Sequence, residues 1–223
     1  MLARLPAVLS DPELREVGEL LVGAPFVDGK LSAGKLARAV KNNLEVARDA
    51  SVLEALNRIV MNALVVHPVY QSAALPRHVA SPFYVRYTPG MSYGDHVDDP
   101  LMGAGPAYRS DIAITLFLSS PDDYQGGELT IQTALGEQSV KLPAGDAILY
   151  PASRVHRVNP ITSGKRVVAV TWVQSRVREA DRRELLYEIG LARDALMRGA
   201  PDAEETRRID RAYVNLMRMW AEA

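Results

Sequence analysis

Residues 127–158 read GELTIQTALGEQSVKLPAGDAILYPASRVHRV. Four short runs rich in Ile, Leu, Val, Thr and Tyr (127–132, 137–142, 146–150 and 155–158) are divided by Gly, Pro and Asp. Each run is too short for a helix, and the breaks carry the turn chemistry that joins neighbouring strands. Working outward, 82–87, 111–118 and 166–173 have the same signature. A series of brief, evenly punctuated strands predicts an antiparallel sandwich or barrel of the jelly-roll kind.

Helical patterning flanks this block on both sides, so the expected class is α+β. A jelly-roll, cupin-like core over 78–176 would carry an N-terminal helical region, 1–77, and a C-terminal helical extension, 177–223. Ser10-Asp11-Pro12-Glu13 is a helix start, and Leu14, Val17, Leu20 and Leu21 recur at helical spacing up to a stop at Gly23. A turn is expected at Val27-Asp28-Gly29-Lys30. Leu36, Val40, Leu44 and Val46–Ala47 predict a second helical segment, and Leu53, Leu56, Ile59 and Val60 a third. Near the C-terminus, Leu185, Leu186, Ile189, Leu191 and Leu196 form an apolar stripe, and Gly199-Ala200-Pro201-Asp202 divides two helices. Such stripes pack on the barrel or on a second copy of the chain, so a homo-oligomer is expected.

The 223 residues are 48% hydrophobic, enough for a sizeable core. A net charge of −1 with interleaved signs predicts neither a nucleic-acid nor a membrane partner. The absence of cysteine excludes disulfides, iron–sulfur clusters and thiolate zinc sites. Any metal must be held by histidine and carboxylate, and the histidines are His67, His78, His96 and His156. The first residues carry one Arg and a short apolar run broken by Pro6, and no stretch nears the roughly 20 apolar residues that cross a bilayer. A soluble, cytoplasmic protein is expected.

His96-Val97-Asp98 is the first candidate site, because residues i and i+2 of an extended chain point to the same side. Alone, an H-x-D is more often a surface turn. His156, in the strand Val155-His156-Arg157-Val158, completes two histidines and one carboxylate on a β-scaffold. That set covers one face of an octahedral Fe(II) and leaves positions open, although zinc accepts similar ligands. Arg166 discriminates further. Alternation along Arg166-Val-Val-Ala-Val-Thr-Trp172-Val173 places it on the face of Val168, Val170 and Trp172, the barrel interior. A guanidinium stays charged there, so it needs an anion, and a carboxylate matches its fork. The partner is either one end of a dicarboxylate ligand or an acid from another strand. Tyr87 ends an alternating strand and is either a hydroxyl donor into the pocket or core packing. Gly126-Gly127-Glu128-Leu129 marks a turn into a strand, where glycines serve backbone geometry.

The ordered set Tyr87-x-x-Gly90-x-x-Tyr93-x-x-His96-x-Asp98, Gly126-Gly127-Glu128-Leu129, His156 and Arg166 resembles the prolyl 4-hydroxylase class of Fe(II)/2-oxoglutarate dioxygenases. The segments Val40-Lys-Asn-Asn43, Leu116-Phe-Leu-Ser119, Pro121-Asp-Asp-Tyr124, Lys141-Leu-Pro-Ala-Gly-Asp146, Leu149-Tyr-Pro151 and Trp172-Val-Gln-Ser175 are similar to the bacterial PKHD-type hydroxylases. This resemblance, running from about residue 10 to the C-terminus, implies a double-stranded β-helix core. It implies Fe(II) on His96, Asp98 and His156, and 2-oxoglutarate on Arg166, with Tyr87 an approximate match to a co-substrate contact. Many relatives outside the subfamily carry lysine where Arg166 stands. The resemblance also implies O2 as a reactant, L-ascorbate as a reductant, a link to iron or siderophore uptake, and hydroxylation of a small-molecule or peptide substrate. Two rivals remain: a cupin-like metalloprotein that turns over no 2-oxoglutarate, and a non-catalytic iron or 2-oxoglutarate sensor.

Overall fold

The computed structural model describes residues 1–34, 36–103 and 105–222. The chain opens with β1 (Ala3–Leu5) and α1 (Asp11–Val22). β2 (Phe26–Asp28), a 3-10 turn (Gly29–Ser32), α2 (Ala37–Val40), β3 (Lys41–Asn42) and β4 (Leu44–Val46) follow, then α3 (Val52–Val66) and α4 (Pro68–Ala74). Next come β5 (Pro76–Val79), β6 (Phe83–Tyr87), β7 (Ser92–His96), β8 (Leu101–Met102), β9 (Tyr108–Arg109) and β10 (Ile112–Phe117). They lead to β11 (Tyr124–Gly126), β12 (Leu129–Thr133), β13 (Gly136–Val140), β14 (Ala147–Pro151), β15 (His156–Val158), β16 (Ile161–Gly164) and β17 (Arg166–Ser175). Two helices close the chain, α5 (Ala180–Gly199) and α6 (Glu204–Trp220).

All seven strand runs anticipated between 82 and 173 are strands. An eight-stranded sheet runs β1-β14-β10-β17-β6-β4-β2, with β5 also on β17, and a five-stranded sheet runs β13-β12-β15-β7-β3. Their pairings are antiparallel throughout. The two sheets face each other as a jelly roll, with helices covering the outer face of the larger one.

Period-two alternation divides the larger sheet between two cores. Ala113 and Phe117 of β10, Ile148 and Tyr150 of β14, and Val168 of β17 point between the sheets, toward Leu129, Ile131 and Val158. Their neighbours Ile112, Ile114, Leu116, Leu149 and Ala169 point outward, against Val17, Leu56, Ile59, Val60, Leu64 and Tyr70 of the helices. A central strand buried on both faces reads as a near-continuous apolar run, as 112–117 does apart from Thr115.

α1 begins where expected. The Glu13 carboxylate accepts from the Ser10 backbone N–H at 2.8 Å and its hydroxyl at 2.6 Å, and Gly23 ends the helix. The third segment is α3, and the break at 199–202 separates α5 from α6. Arg183 ties α5 down, donating from Nη1 to the Val177 carbonyl at 2.8 Å and the Arg178 carbonyl at 2.7 Å. Among the described residues no single helix is long and apolar enough to cross a membrane.

The N-terminal region departs from the helical expectation. Only residues 37–40 of the second segment are helical; Leu44–Val46 is β4, which bridges β2 and β6 and extends the larger sheet. The expected turn at 27–30 is divided between the end of β2 and a 3-10 turn. The burial pattern explains the difference. Lys41, Asn43 and Glu45 are buried at alternate positions, so the alternation of two is carried by polar residues, with Val46 the buried apolar residue next to them. An apolar search registers only the fortuitous i, i+4 spacing of Leu36, Val40 and Leu44.

Leu56, fully buried on the inner face of α3, tests the helical layer. Leu56→Ala is expected to cost about 2–5 kcal/mol of unfolding free energy, since the packed sheet beneath leaves a cavity. Urea denaturation followed by circular dichroism measures it.

Candidate active site

β7 and β15 pair with His96 directly opposite His156, and the register shifts beyond that pair. The ring centroids are 4.2 Å apart. β7 ends at His96, and the extended chain beyond it brings Asp98 to the same side. Asp98 Oδ1 lies 4.0 Å from His96 Nε2 and 3.8 Å from His156 Nε2. One donor atom from each of the three falls within 4.8 Å of the others.

Backbone carbonyls set the orientation of both imidazoles. His96 Nδ1 lies 2.8 Å from the Gly94 carbonyl and His156 Nδ1 lies 2.9 Å from that of Arg154, two residues back in each case. A carbonyl only accepts, so Nδ1 holds the proton and the Nε2 lone pair faces the gap, the tautomer a metal takes. Burial, with His156 beside it, pushes the His96 pKa down to about 3, which keeps the ring neutral. Burial raises the Asp98 carboxyl, while neighbouring His156 pulls it the other way. Tyr93 stacks on His96 at 3.6 Å and 12°, and Tyr150 meets His156 edge-on at 5.1 Å. Two imidazole nitrogens and one carboxylate oxygen on one side of a cavity fit a divalent ion with open positions.

Arg166 is 1% exposed at the start of β17, paired in register with Tyr87 of β6. Its guanidinium lies between the rings of Tyr87, 5.2 Å away, and Phe117, 5.5 Å away. No carboxylate of the described residues forms an ion pair with it, and its Nε has no hydrogen-bond partner. The acid from another strand is therefore not found among those residues. A buried guanidinium left in this way costs several kcal/mol unless an anion joins it. The pocket around it is polar: Tyr124 places a partnerless buried hydroxyl nearby, and Tyr87 Oη accepts from Asn43 Nδ2 at 2.9 Å. Burial raises the Tyr87 pKa, opposed by Arg166, so the phenol keeps its proton. A carboxylate fits these donors.

Gly127 makes room for this arrangement. Its φ is +68°, and a Cβ there would meet Ile161 Cδ1 at 2.2 Å and the Arg166 stem at 3.1 Å.

His96, Asp98, His156, Arg166 and Tyr87 all line one cavity of about 1100 Å³. All five anticipated residues thus meet in one place. Others were not anticipated. Lys41, Asn43 and Glu45 form one wall, with Lys41 Nζ bound to Glu45 Oε1 at 2.5 Å and to Ser32 Oγ at 2.9 Å. Trp172 borders Asp98 with its indole N–H buried. Alternation along β17 puts Trp172 on the same interior face as Arg166, as expected; nothing in composition marks Lys41 or Glu45.

Residues 82–174 match the family profile described as the 2OG-Fe(II) oxygenase superfamily. Over the full length of both chains, the sequence is 50% identical to a PKHD-type hydroxylase of Thioalkalivibrio sulfidiphilus and 45% identical to one of Acaryochloris marina. Among solved structures, a prolyl-4-hydroxylase of Pseudomonas putida superposes with a TM-score of 0.54 at 17% identity, covering 78% of this chain and 92% of that one. HygX from Streptomyces hygroscopicus, solved with nickel, 2-oxoglutarate and hygromycin B, gives 0.54 at 16% identity, over 80% and 84%.

Asp98→Ala is expected to abolish stoichiometric Mn(II) binding by electron paramagnetic resonance while leaving the circular dichroism spectrum intact. Retained binding would move the metal elsewhere.

Proposed function

The chain belongs to the PKHD-type hydroxylases of the 2OG-Fe(II) oxygenase superfamily, and from that premise we propose which of its residues run the reaction. His96, Asp98 and His156 hold Fe(II), Arg166 binds the distal carboxylate of 2-oxoglutarate, and a C–H group of a substrate entering the same cavity is hydroxylated. The observation that carries this reading is the buried Arg166, without a carboxylate partner among the described residues, in the cavity of the three-residue cluster.

Iron with 2-oxoglutarate and O2 supplies the oxidising power, one oxygen atom leaving in succinate as CO2 departs and the other entering the substrate. The chain does the positioning. Carbonyls of Gly94 and Arg154 hold the two imidazoles with Nε2 inward. Arg166 fixes one end of the co-substrate by charge and fork geometry, so its other end is presented to the metal in one orientation. Tyr87, with its oxygen engaged by Asn43, directs its own proton toward that carboxylate. Val85, Val168 and Val170 line the cavity between, and their apolar surface keeps water from the reacting centre.

The test is succinate formation by Fe(II)-loaded protein given 2-oxoglutarate and O2, with and without a broad panel of small molecules and peptides. Succinate above an Asp98→Ala control is expected. Its absence across the panel would favour a sensor if 2-oxoglutarate still binds, and an oxo-acid-independent metalloprotein if it does not. Arg166→Gln is expected to raise the KM for 2-oxoglutarate by about 10- to 100-fold, the worth of a charged hydrogen-bonded pair. An unchanged KM would remove Arg166 from the co-substrate site.

A further inference from the structure

We infer that Arg48 is the substrate anchor of this cavity and that it takes a single carboxylate, so that the hydroxylated compound is a carboxylic acid. The inference rests on the functional reading above and deepens it.

The cavity wall has a direction. β6 and β17 pair Tyr87 with Arg166, Val85 with Val168 and Phe83 with Val170, and all six side chains line the cavity. From the first pair to the last is four residues, about 13 Å at the rise of a strand. Arg166 marks the inner end. At the outer end Trp172 meets Phe83 edge-on, with centroids 5.4 Å apart at 87°. The Arg48 guanidinium lies over the Phe83 ring, 3.2 Å from its centroid. One wall thus carries a guanidinium at each end with apolar surface between them, and Trp172 joins the outer end to Asp98.

Arg48 is held, and no carboxylate of the described residues forms an ion pair with it. Stacking on Phe83 fixes the plane of the fork without using its N–H groups. The acid that bears on it is Glu45, and Glu45 is already bound to Lys41 at 2.5 Å. Partial burial lowers the Arg48 pKa, so a partner anion is met by a partly desolvated cation. Asp28, Asp49 and Asp99 line the same cavity. They oppose a doubly charged group such as a phosphate monoester, whereas one carboxylate pairs with one guanidinium at least electrostatic cost. With 2-oxoglutarate on Arg166, a second anion finds its receptor at Arg48.

The test uses a matched pair of probes, phenylacetate and phenylacetamide, alike in shape and different in charge. The chain has two tryptophans, Trp172 and Trp220, so Trp220→Phe leaves Trp172, beside Phe83, as the sole tryptophan, read by selective excitation at its red edge. Fe(II)-loaded protein with saturating 2-oxoglutarate is titrated under nitrogen, where no turnover occurs. Phenylacetate is expected to bind about tenfold more tightly than the amide, the scale of one charge-assisted contact. Arg48→Gln should abolish that preference, and Arg48→Lys should retain part of it. Equal affinities in the starting protein, or a preference that survives Arg48→Gln, would overturn the inference. An equal loss of 2-oxoglutarate affinity in Arg48→Gln would overturn it as well, by making Arg48 part of the co-substrate site. Failure of 2-oxoglutarate to bind the starting protein would instead sink the functional reading, and the acid–amide comparison would still report on Arg48.

Discussion

The pairing of β7 with β15 is the constraint on which the rest of the site depends. It sets His96 opposite His156 in a non-negotiable register, because a slip of one residue would turn either ring to the other face of the sheet. Each ring is then locked by the carbonyl two residues before it. Asp98 needs no strand of its own: the extended chain leaving β7 carries it to the same side. A three-residue cluster thus arises from one strand pair and two residues of continuation, on backbone already satisfied by a ladder.

A second constraint follows from burying Arg166. A charge in the gap between two sheets is tolerable only where the surroundings are rigid and supply polar neighbours. The larger sheet is clamped from outside by α1, α3 and α4, so its strands are apolar on both faces and cannot relax around the guanidinium. The polar neighbours come from Tyr87, Tyr124 and Asn43, which gather at that end of the cavity. Gly127 keeps clear the space beside the Arg166 stem. Helical packing and the burial of Arg166 are therefore linked through the stiffness of one sheet.

The short N-terminal strands β3 and β4 bring polar side chains to the cavity. β3 is the edge of the smaller sheet and β4 lies between β2 and β6 in the larger one, and Lys41, Asn43, Glu45, Val46, Ala47 and Arg48 line the cavity. Their buried face is charged: Lys41 and Glu45 satisfy each other, and Lys41 also lies 5.4 Å from the Tyr93 ring that stacks on His96. A buried ion pair of this kind is weak as a source of stability, and its closeness to the cluster suits it to shape the cavity.

Sequence alone determined the jelly-roll strands, the limits of α1, the presence of α3, the break between α5 and α6, and the inward face of β17 that carries Arg166. These rest on local periodicity and turn chemistry, and sheet burial reinforces that pattern. Sequence alone also narrowed any metal site to histidine and carboxylate. Tertiary structure decided what local pattern cannot encode. It placed His156 across from His96 through the pairing of strands about sixty residues apart. It made strands of 41–46, where polar residues carry the alternation and an apolar reading sees a helix. It left Arg166 without a carboxylate among the described residues and laid Arg48 on Phe83, because ion pairing and stacking are settled between distant segments brought together by the core.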